Sequence, residues 1–462
     1  MRKLLLAGSC LLIVLQATSQ SSFSDQVKKY IDYDSSFIAF THCRLADVNA
    51  LKVLEDQTVV VRNGIITAVG DSKKTPPPSG SMVIDLTGKT LLPGFVLLHE
   101  HMYYAAYSGD FSYLHVKQLP FTFPKLYLAC GATTIRTAGS VEPYSDLNLK
   151  RDIDQGRILG PAMDVTAPYL EGKGTFFPQM HELERTRGSK SLRRLLGESG
   201  LYFVQGIQLS GQGYAQSRDR RGPRQRAESH GPFMFHHLPR GGRNGYRSAG
   251  ARLFSVNRFR SRQKGECLPA RRACQYNRRF AETERPDPIP GRQKVTVTST
   301  LAVLYNMTTP DTAMRPEVLE AMAPDTRGMF LNVYNKMRNP AGNKAMLEEM
   351  KIEKAFSDAG GLLTVGTDPT GNGATLAGYG SQQSIELLTQ AGFTPIEAIR
   401  IATLNGAKAL GLANKIGSIE VGKSADRWSS TAIPPKISKT SARPLWCSSR
   451  AWASILRRSS VP

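Results

Sequence analysis

Residues 91–104 read LLPGFVLLHEHMYY, and this stretch decides the class of fold that we expect. The apolar run Phe95–Leu98 predicts a buried strand that ends in His99-Glu100-His101. Side chains two residues apart on a strand point to the same face of the sheet. His99 and His101 can therefore reach one metal ion, since imidazole nitrogen is a common zinc ligand.

A small β-module precedes this strand. Residues 57–70, QTVVVRNGIITAVG, contain two apolar strands joined by Asn63-Gly64. This dipeptide tolerates the positive φ angles that a two-residue hairpin turn needs. Residues 81–92 add the short strands MVIDL and TLL, which the turn residues Thr87-Gly88-Lys89 separate.

Strands and helices alternate after the histidine pair. Four further elements are expected: a strand at Thr133–Arg136, a strand at Lys294–Leu304 (KVTVTSTLAVL), a helix in MLEEMKIEKAFSDAGG closed by Gly360-Gly361, and the strand LLTVGTD, which places Asp368 at a strand's C-terminal end. Thr394-Pro395-Ile396-Glu397 forms a capping box with Pro at the first helical position, which predicts a helix there. Polar residues at strand ends in an alternating pattern favour an α/β fold, specifically a (β/α)8 TIM barrel.

The chain resembles the amidohydrolase superfamily, close to its imidazolonepropionase and Xaa-Pro dipeptidase-like members. Six motifs carry the resemblance in family order: PGFVLLHEH (93–101), GATTIRTAG (131–139), GRILGPAM (156–163), GTDPTG (366–371), GFTPIEAIRIATLNGAKALGL (392–412) and GSIEVGKSAD (417–426). Together they are specific, and they cover residues 37–184 and 293–426. HxH or GTD alone would be a weak signal. One departure is Leu97, where many members carry an acid.

The resemblance implies a metal-dependent hydrolase of amide, cyclic amide or dipeptide C–N bonds. His99 and His101 match the family's metal ligands on the first strand, and Asp368 matches the aspartate of the last strand, which is both a ligand and the catalytic proton shuttle. The implied cofactor is a divalent metal, zinc above all and binuclear in the family, which lowers the pKa of bound water to about 7.

Purely structural roles for the same residues remain open. His99 and His101 could be two hydrogen-bonded strand histidines, and Asp368 could be a turn or cap aspartate. His42, His115 and His181 stand outside every matched motif, so we do not expect them to be ligands.

The expected organisation has five parts. Residues 1–20 resemble a secretory signal peptide, 37–91 begin a small β-sandwich, 92–412 form the barrel, 413–426 return to the sandwich, and 427–462 are an anomalous basic tail. We therefore expect export to a periplasmic or extracellular location. The five cysteines after residue 20 show no CxxC spacing and are interpreted as scattered thiols. No internal apolar run reaches 18 residues, so we expect no stable membrane insertion.

The net charge of +22 is concentrated in two segments. Residues 185–292 hold 22 Arg and 2 Lys against 7 acidic residues, and residues 427–462 hold 7 basic residues and no acid. The other 318 residues carry a net charge of −2. An Arg-rich segment could bind nucleic acid or another anion, but it contains no recognised motif or ordered aromatic interleaving. The expected partners are small amide or dipeptide substrates rather than nucleic acid, and an oligomer is compatible with the sequence.

The family's remaining ligands should fall inside the Arg-rich segment, and no motif for them is present there. They are a middle-barrel lysine, usually carbamylated, or a glutamate, and two further histidines. His230, His236 and His237 lie in no strand pattern.

A shifted reading frame offers an explanation for the missing ligands. Read one nucleotide later, degenerate codons for residues 203–207, 230–236 and 250–254 permit SFKAY, TGHLCS and EHGF, which resemble the lysine strand and the two histidine strands. Residues 427–436 read two nucleotides later permit VVIDGNPAK, a closing strand and turn. We hypothesise that both basic segments are out-of-frame translations. The middle of the barrel would then be disrupted.

Three hypotheses about function follow. The first is an amidohydrolase by family whose chain, as written, is inactive or poorly folded because the middle-barrel ligands are missing. The second is a catalytically dead barrel protein with a structural role. The third is an anion-binding or nucleic-acid-binding protein that uses its Arg-rich segment.

Overall fold

The computed structural model describes residues 23–31, 33, 35–107, 114–166, 168–171, 181–182, 296–308, 316–320, 322, 327–328, 330–331, 343–369 and 375–425. The predicted signal peptide, the basic tail and the Arg-rich segment, with His230, His236 and His237, lie outside these residues.

The described residues form fourteen strands and nine α-helices, with one π-helical segment. The strands are β1 Phe37–Asp47, β2 Lys52–Arg62, β3 Ile65–Asp71, β4 Met82–Asp85, β5 Thr90–Leu91, β6 Phe95–Glu100, β7 Tyr103–Tyr107, β8 Leu114–Gln118, β9 Ala132–Thr137, β10 Ala162–Asp164, β11 Leu170–Glu171, β12 His181–Glu182, β13 Thr296–Ser299 and β14 Leu362–Val365. The helices are α1 Asp25–Lys28, α2 Phe123–Ala129, α3 Pro143–Asp154, α4 Leu301–Thr308, α5 Pro316–Glu320, α6 Asn343–Asp358, α7 Tyr379–Gln390, α8 Pro395–Arg400 and α9 Gly406–Ala409, with the π-helical segment at Ile401–Asn405.

The N-terminal module is a five-stranded sheet. Its order is β3-β2-β1-β4, and β5 also pairs with β1. Asn63 and Gly64 join β2 to β3 with φ angles of 51° and 76°. Positive φ at both turn residues is the feature of a type I′ turn, whose twist matches that of the paired strands. The hairpin expected at this dipeptide is therefore present.

The end of the described chain returns to this sheet. The Ile66 amide donates to the Lys423 carbonyl at 2.9 Å, and the Ala425 amide donates to the Gly64 carbonyl at 2.8 Å. The Asn49 side chain donates to Glu420 Oε1 at 2.7 Å. These contacts bring residues 422–425 against the edge strand β3 and Glu420 against the turn that follows β1.

Five strands form the core of the second module. β6, β9 and β10 pair in parallel, and so do β13 and β14. The amide of Thr367, just after β14, donates to the His99 carbonyl at 3.1 Å, which sets β14 beside β6. The order is thus β10-β9-β6-β14-β13. Phe95–Leu98 is buried throughout, as a strand covered on both faces of a parallel sheet requires.

Helices lie in the connections between these parallel strands. α3 lies between β9 and β10 in the chain, and α6 lies between β13 and β14. Parallel neighbours need such connections. The fold is α/β of the TIM-barrel type, and the described strands form an arc of it.

The structure corrects one predicted element. The expected strand at Lys294–Leu304 is described from residue 296 onward, where Thr296–Ser299 is a strand but Leu301–Thr308 is the helix α4. Leu301, Ala302, Val303 and Leu304 are all buried. A short, uniformly apolar run has no periodicity that distinguishes a buried strand from a buried helix.

Two local features were not expected. The antiparallel hairpin β7–β8 directly follows the HEH motif. The helix that opens at the Thr394–Glu397 capping box is also not a continuous α-helix, because residues 401–405 are π-helical. The capping box itself is confirmed by hydrogen bonds in both directions.

Across the described residues, no helix combines the length and the apolar character needed to cross a membrane. Cys43 and Cys130 are buried and form no disulfide among the described residues, and the other cysteines lie outside the described ranges.

Candidate metal centre

His99, His101 and Asp368 meet where β6 and β14 end. His101 Nε2 lies 3.1 Å from Asp368 Oδ1, and His99 Nε2 lies 3.7 Å from the same oxygen. One potential ligand atom from each residue falls within 4.8 Å of the other two. In the part of the chain that the structure describes, this is the one group of three or more His, Cys, Asp or Glu side chains that could hold a metal ion.

The backbone of the β14 end fixes the position of Asp368. The amides of Thr367 and Asp368 both donate to the His99 carbonyl, at 3.1 and 3.0 Å. Asp368 has a φ angle of 54°, in the left-handed region that non-glycine residues seldom occupy. Such strain persists only where the surroundings hold it, and it is concentrated at functional sites.

The electrostatics of the three side chains suit a divalent cation. Burial lowers the pKa of His101, so its imidazole is neutral near pH 7. Burial alone would raise the pKa of Asp368, but His99 and His101 outweigh this effect and lower it, so the carboxylate is ionised. Metal ligands must be deprotonated. Two imidazole nitrogens and one carboxylate therefore fit zinc, which accepts this donor set at catalytic sites.

Glu100, between the two histidines, is a buried acid that sequence analysis did not single out. It is fully buried, and neither carboxyl oxygen has a hydrogen-bond partner among the described residues, although Tyr127 and Thr367 approach it. Burial raises its pKa to about 8, so it is protonated near neutral pH. Alternation along the strand directs it away from the face that His99 and His101 share.

Three tyrosines surround His101, and sequence analysis missed all of them. Tyr169 Oη lies 3.0 Å from His101 Nδ1 and 2.7 Å from Tyr103 Oη. Tyr127 Oη donates to the His101 carbonyl at 3.1 Å. Burial raises the pKa values of Tyr103 and Tyr169, so both remain neutral phenols. Tyr169 could not be predicted because it lies in none of the six motifs, and its contact with His101, 68 residues earlier, exists only in the folded chain.

The other histidines lie elsewhere. His42 is exposed in the N-terminal sheet and pairs with Asp56 at 2.8 Å. His115 and His181 belong to strands whose side chains at these positions lie outside the description. Leu97, the departure from the family pattern, is fully buried in the main core.

Comparison with known proteins shows partial similarity to one family of hydrolases. Residues 339–428, which include Asp368, match the model of the amidohydrolase family. The chain is 33% identical over 105 residues to the imidazolonepropionase of Halobacterium salinarum, which is 22% of this chain and 24% of that protein. It is 38% identical over 63 residues to the imidazolonepropionase of Phocaeicola vulgatus, which is 14% of this chain and 15% of that protein. The chain thus spans about a quarter, or less, of the length of these relatives.

Solved structures share the fold of this chain. A candidate prolidase from Bifidobacterium longum superposes with a TM-score of 0.52 at 19% identity, covering 92% of this chain and 99% of that one. The bottromycin amidohydrolase superposes with a TM-score of 0.55 at 18% identity, covering 86% and 82%. At these identities the likeness concerns the fold alone.

Proposed function

We propose that this chain is a member of the amidohydrolase superfamily and a metal-dependent hydrolase of carbon–nitrogen bonds, with His99, His101 and Asp368 as ligands of a divalent metal. The observation that carries the proposal is the convergence of these three side chains at adjoining strand ends. Metal and ligand sites of TIM-barrel enzymes are built at the C-terminal ends of the strands. Zinc suits the donor set best.

The chain's own residues would have separate roles. His99 and His101 would hold the ion through Nε2, the atoms nearest the carboxylate. Asp368, ionised at neutral pH, would take up the proton of the attacking water and deliver it to the leaving nitrogen. The ion, when bound, supplies Lewis-acid chemistry that makes a hydroxide nucleophile available near pH 7.

The substrate class is a small amide. An imidazolone is a cyclic amide and a prolidase cleaves a dipeptide, so the names of the relatives and structural neighbours support cyclic amides and dipeptides. Export through the predicted signal peptide is part of the same proposal, and we expect no nucleic-acid partner.

The site is incomplete in this sequence. No motif in residues 185–292 supplies the lysine or glutamate and the two histidines that the family resemblance implies. Altering even the partners of metal ligands typically costs about 10–100-fold in metal affinity or activity. We therefore expect the chain as written to bind metal weakly and to hydrolyse amides poorly or not at all.

Metal analysis and an amide panel test the proposal. Zinc binding to the purified protein would be measured by equilibrium dialysis over a range of free zinc concentrations, and the zinc-loaded protein would then be tested against dipeptides and cyclic amides. His101→Asn and Asp368→Asn should each lose the bound zinc. His42→Asn should keep it, because His42 pairs with Asp56 at an exposed site remote from this cluster.

Each outcome is decisive. A chain that binds no zinc in a folded state, or that retains it equally in His101→Asn, contradicts the metal site. Metal binding without hydrolysis agrees with an incomplete site, whereas fast hydrolysis by the chain as written disproves the expected loss of activity.

A further inference from the structure

His101 has polar partners at both ring nitrogens. Its Nε2 faces Asp368 Oδ1 at 3.1 Å. Its Nδ1 faces the Gly139 carbonyl at 3.3 Å and Tyr169 Oη at 3.0 Å. Tyr169 Oη is farther from Nε2, at 3.4 Å, so its stronger contact is with the nitrogen that does not face the carboxylate.

The direction of each hydrogen bond follows from the chemistry of a ligand imidazole. If Nε2 provides its lone pair to a metal, the neutral ring must carry its proton on Nδ1. Nδ1–H then donates to the Gly139 carbonyl and to Tyr169 Oη. Tyr169 Oη, as an acceptor from His101, can donate its own hydrogen to Tyr103 Oη at 2.7 Å.

All three side chains in this series of hydrogen bonds are buried. Tyr169 and His101 are each 1% exposed and Tyr103 is 3% exposed. Water therefore does not replace a lost phenol oxygen easily, and a buried polar group left without its partner is destabilising. The two tyrosines come from distant parts of the sequence, one on β7 and one just after β10.

We propose that Tyr169, supported by Tyr103, is a positioning residue that fixes the tautomer and the ring orientation of His101 so that Nε2 points at the metal. This inference rests on the proposed metal-binding function. Partners of this kind at the second nitrogen of a ligand histidine set its tautomer and basicity. Neither tyrosine needs to touch the substrate for this role.

Tyr169→Phe tests the role, with Tyr104→Phe as the matched control. Tyr104 is also buried, and its hydroxyl has no hydrogen-bond partner among the described residues, so its removal should be neutral. Cobalt(II), whose visible spectrum reports coordination, replaces zinc as the probe. We expect Tyr169→Phe to weaken cobalt binding by about 10–100-fold and to alter the cobalt spectrum. Tyr103→Phe should act in the same direction and serves as the second variant if Tyr169→Phe does not fold.

A second measurement uses metal-free protein. The rate at which diethylpyrocarbonate modifies His101, followed by peptide mass spectrometry, should rise in Tyr169→Phe and Tyr103→Phe and stay unchanged in Tyr104→Phe. If wild-type protein binds no cobalt, the proposed function fails, but this rate still tests the positioning role. Unchanged His101 reactivity, or cobalt affinity and spectrum equal to wild type, would overturn the inference.

Discussion

Gly366 controls how closely β14 approaches β6, the strand whose end carries the proposed ligands His99 and His101. A Cβ at this position would lie 2.3 Å from the Cβ of His99 and 2.9 Å from its backbone nitrogen. Backbone atoms cannot move aside as a flexible side chain can. The hydrogen bonds from residues 367 and 368 to the His99 carbonyl depend on this approach.

We therefore predict that Gly366→Ala moves the end of β14 away from β6 and disrupts the metal centre. Overpacking of this kind costs about 1–3 kcal/mol of unfolding free energy. Metal titration and urea denaturation would measure both effects. Gly328→Ala is the control, since no atom of the described residues lies within 4 Å of its added Cβ and its φ angle is outside the left-handed region. Equal metal affinity in Gly366→Ala and wild type would contradict the prediction.

The amino-acid sequence predicts the proposed ligands better than their surroundings. Strand alternation places His99 and His101 on one face. The sequence also places Asp368 after another strand, but its role as a ligand rests on the family resemblance. Tyr169 and the orphaned Glu100 could not be predicted, because their significance depends on contacts and burial that arise only in the folded chain. Local sequence patterns identify candidate metal ligands, whereas the residues that contact those ligands are set by tertiary packing.

The packing of α6 against β14 and α4 buries the acid Glu353. Glu353 is 4% exposed, and its Oε2 has no hydrogen-bond partner among the described residues. Burial raises its pKa from the ordinary value of 4.5 to about 8. Glu348 on the same helix is more exposed and pairs with Lys351 at 2.9 Å.

Glu353 on α6 should make the unfolding free energy of the protein depend on pH. Between pH 4.5 and about 8 the unfolded chain has an ionised Glu353, while the folded chain keeps it protonated. The unfolded state then binds fewer protons, so the unfolding free energy falls as pH rises across this window. Glu353→Gln should flatten that dependence, and denaturation at pH 5 and pH 8 would measure it. Glu348→Gln should leave the slope in place. An unaltered slope in Glu353→Gln would refute the assignment.

Elements defined by short-range chemistry are the predictable ones. The Asn63-Gly64 turn and the Thr394–Glu397 capping box satisfy their own hydrogen bonds and angles within a few residues. α4 was predicted as a strand because Leu301–Leu304 is apolar throughout, and only its packing against α6 and α7 decides for a helix. The π-helical turn that follows α8 likewise had no signal in the sequence.

At the scale of the molecule, the arc of five strands leaves part of the barrel unaccounted for. A TIM barrel has eight strands. The outer edges of β10 and β13 have no partner strand in the described ranges that belongs to this sheet. Unpaired sheet edges promote aggregation. The chain between β10 and β13 contains residues 185–292, where the charge is +17 while the rest of the molecule outside the tail is near neutral.

Restoring the reading frame should therefore restore both the barrel and the metal centre. We predict that the coding DNA spells SFKAY, TGHLCS and EHGF one nucleotide later than residues 203–207, 230–236 and 250–254. A chain with residues 185–292 in this frame and 427–462 in the other shifted frame should give more soluble protein, bind a second metal ion per chain and hydrolyse amides. Restoring the tail alone is the control, and it should leave metal stoichiometry unchanged because the implied ligands lie in the middle segment. Codons that do not spell these strings would disprove the frameshift. A restored chain that binds no additional metal would disprove the assignment of the two histidines and the lysine as ligands, because these residues must add to the coordination that His99, His101 and Asp368 are proposed to provide.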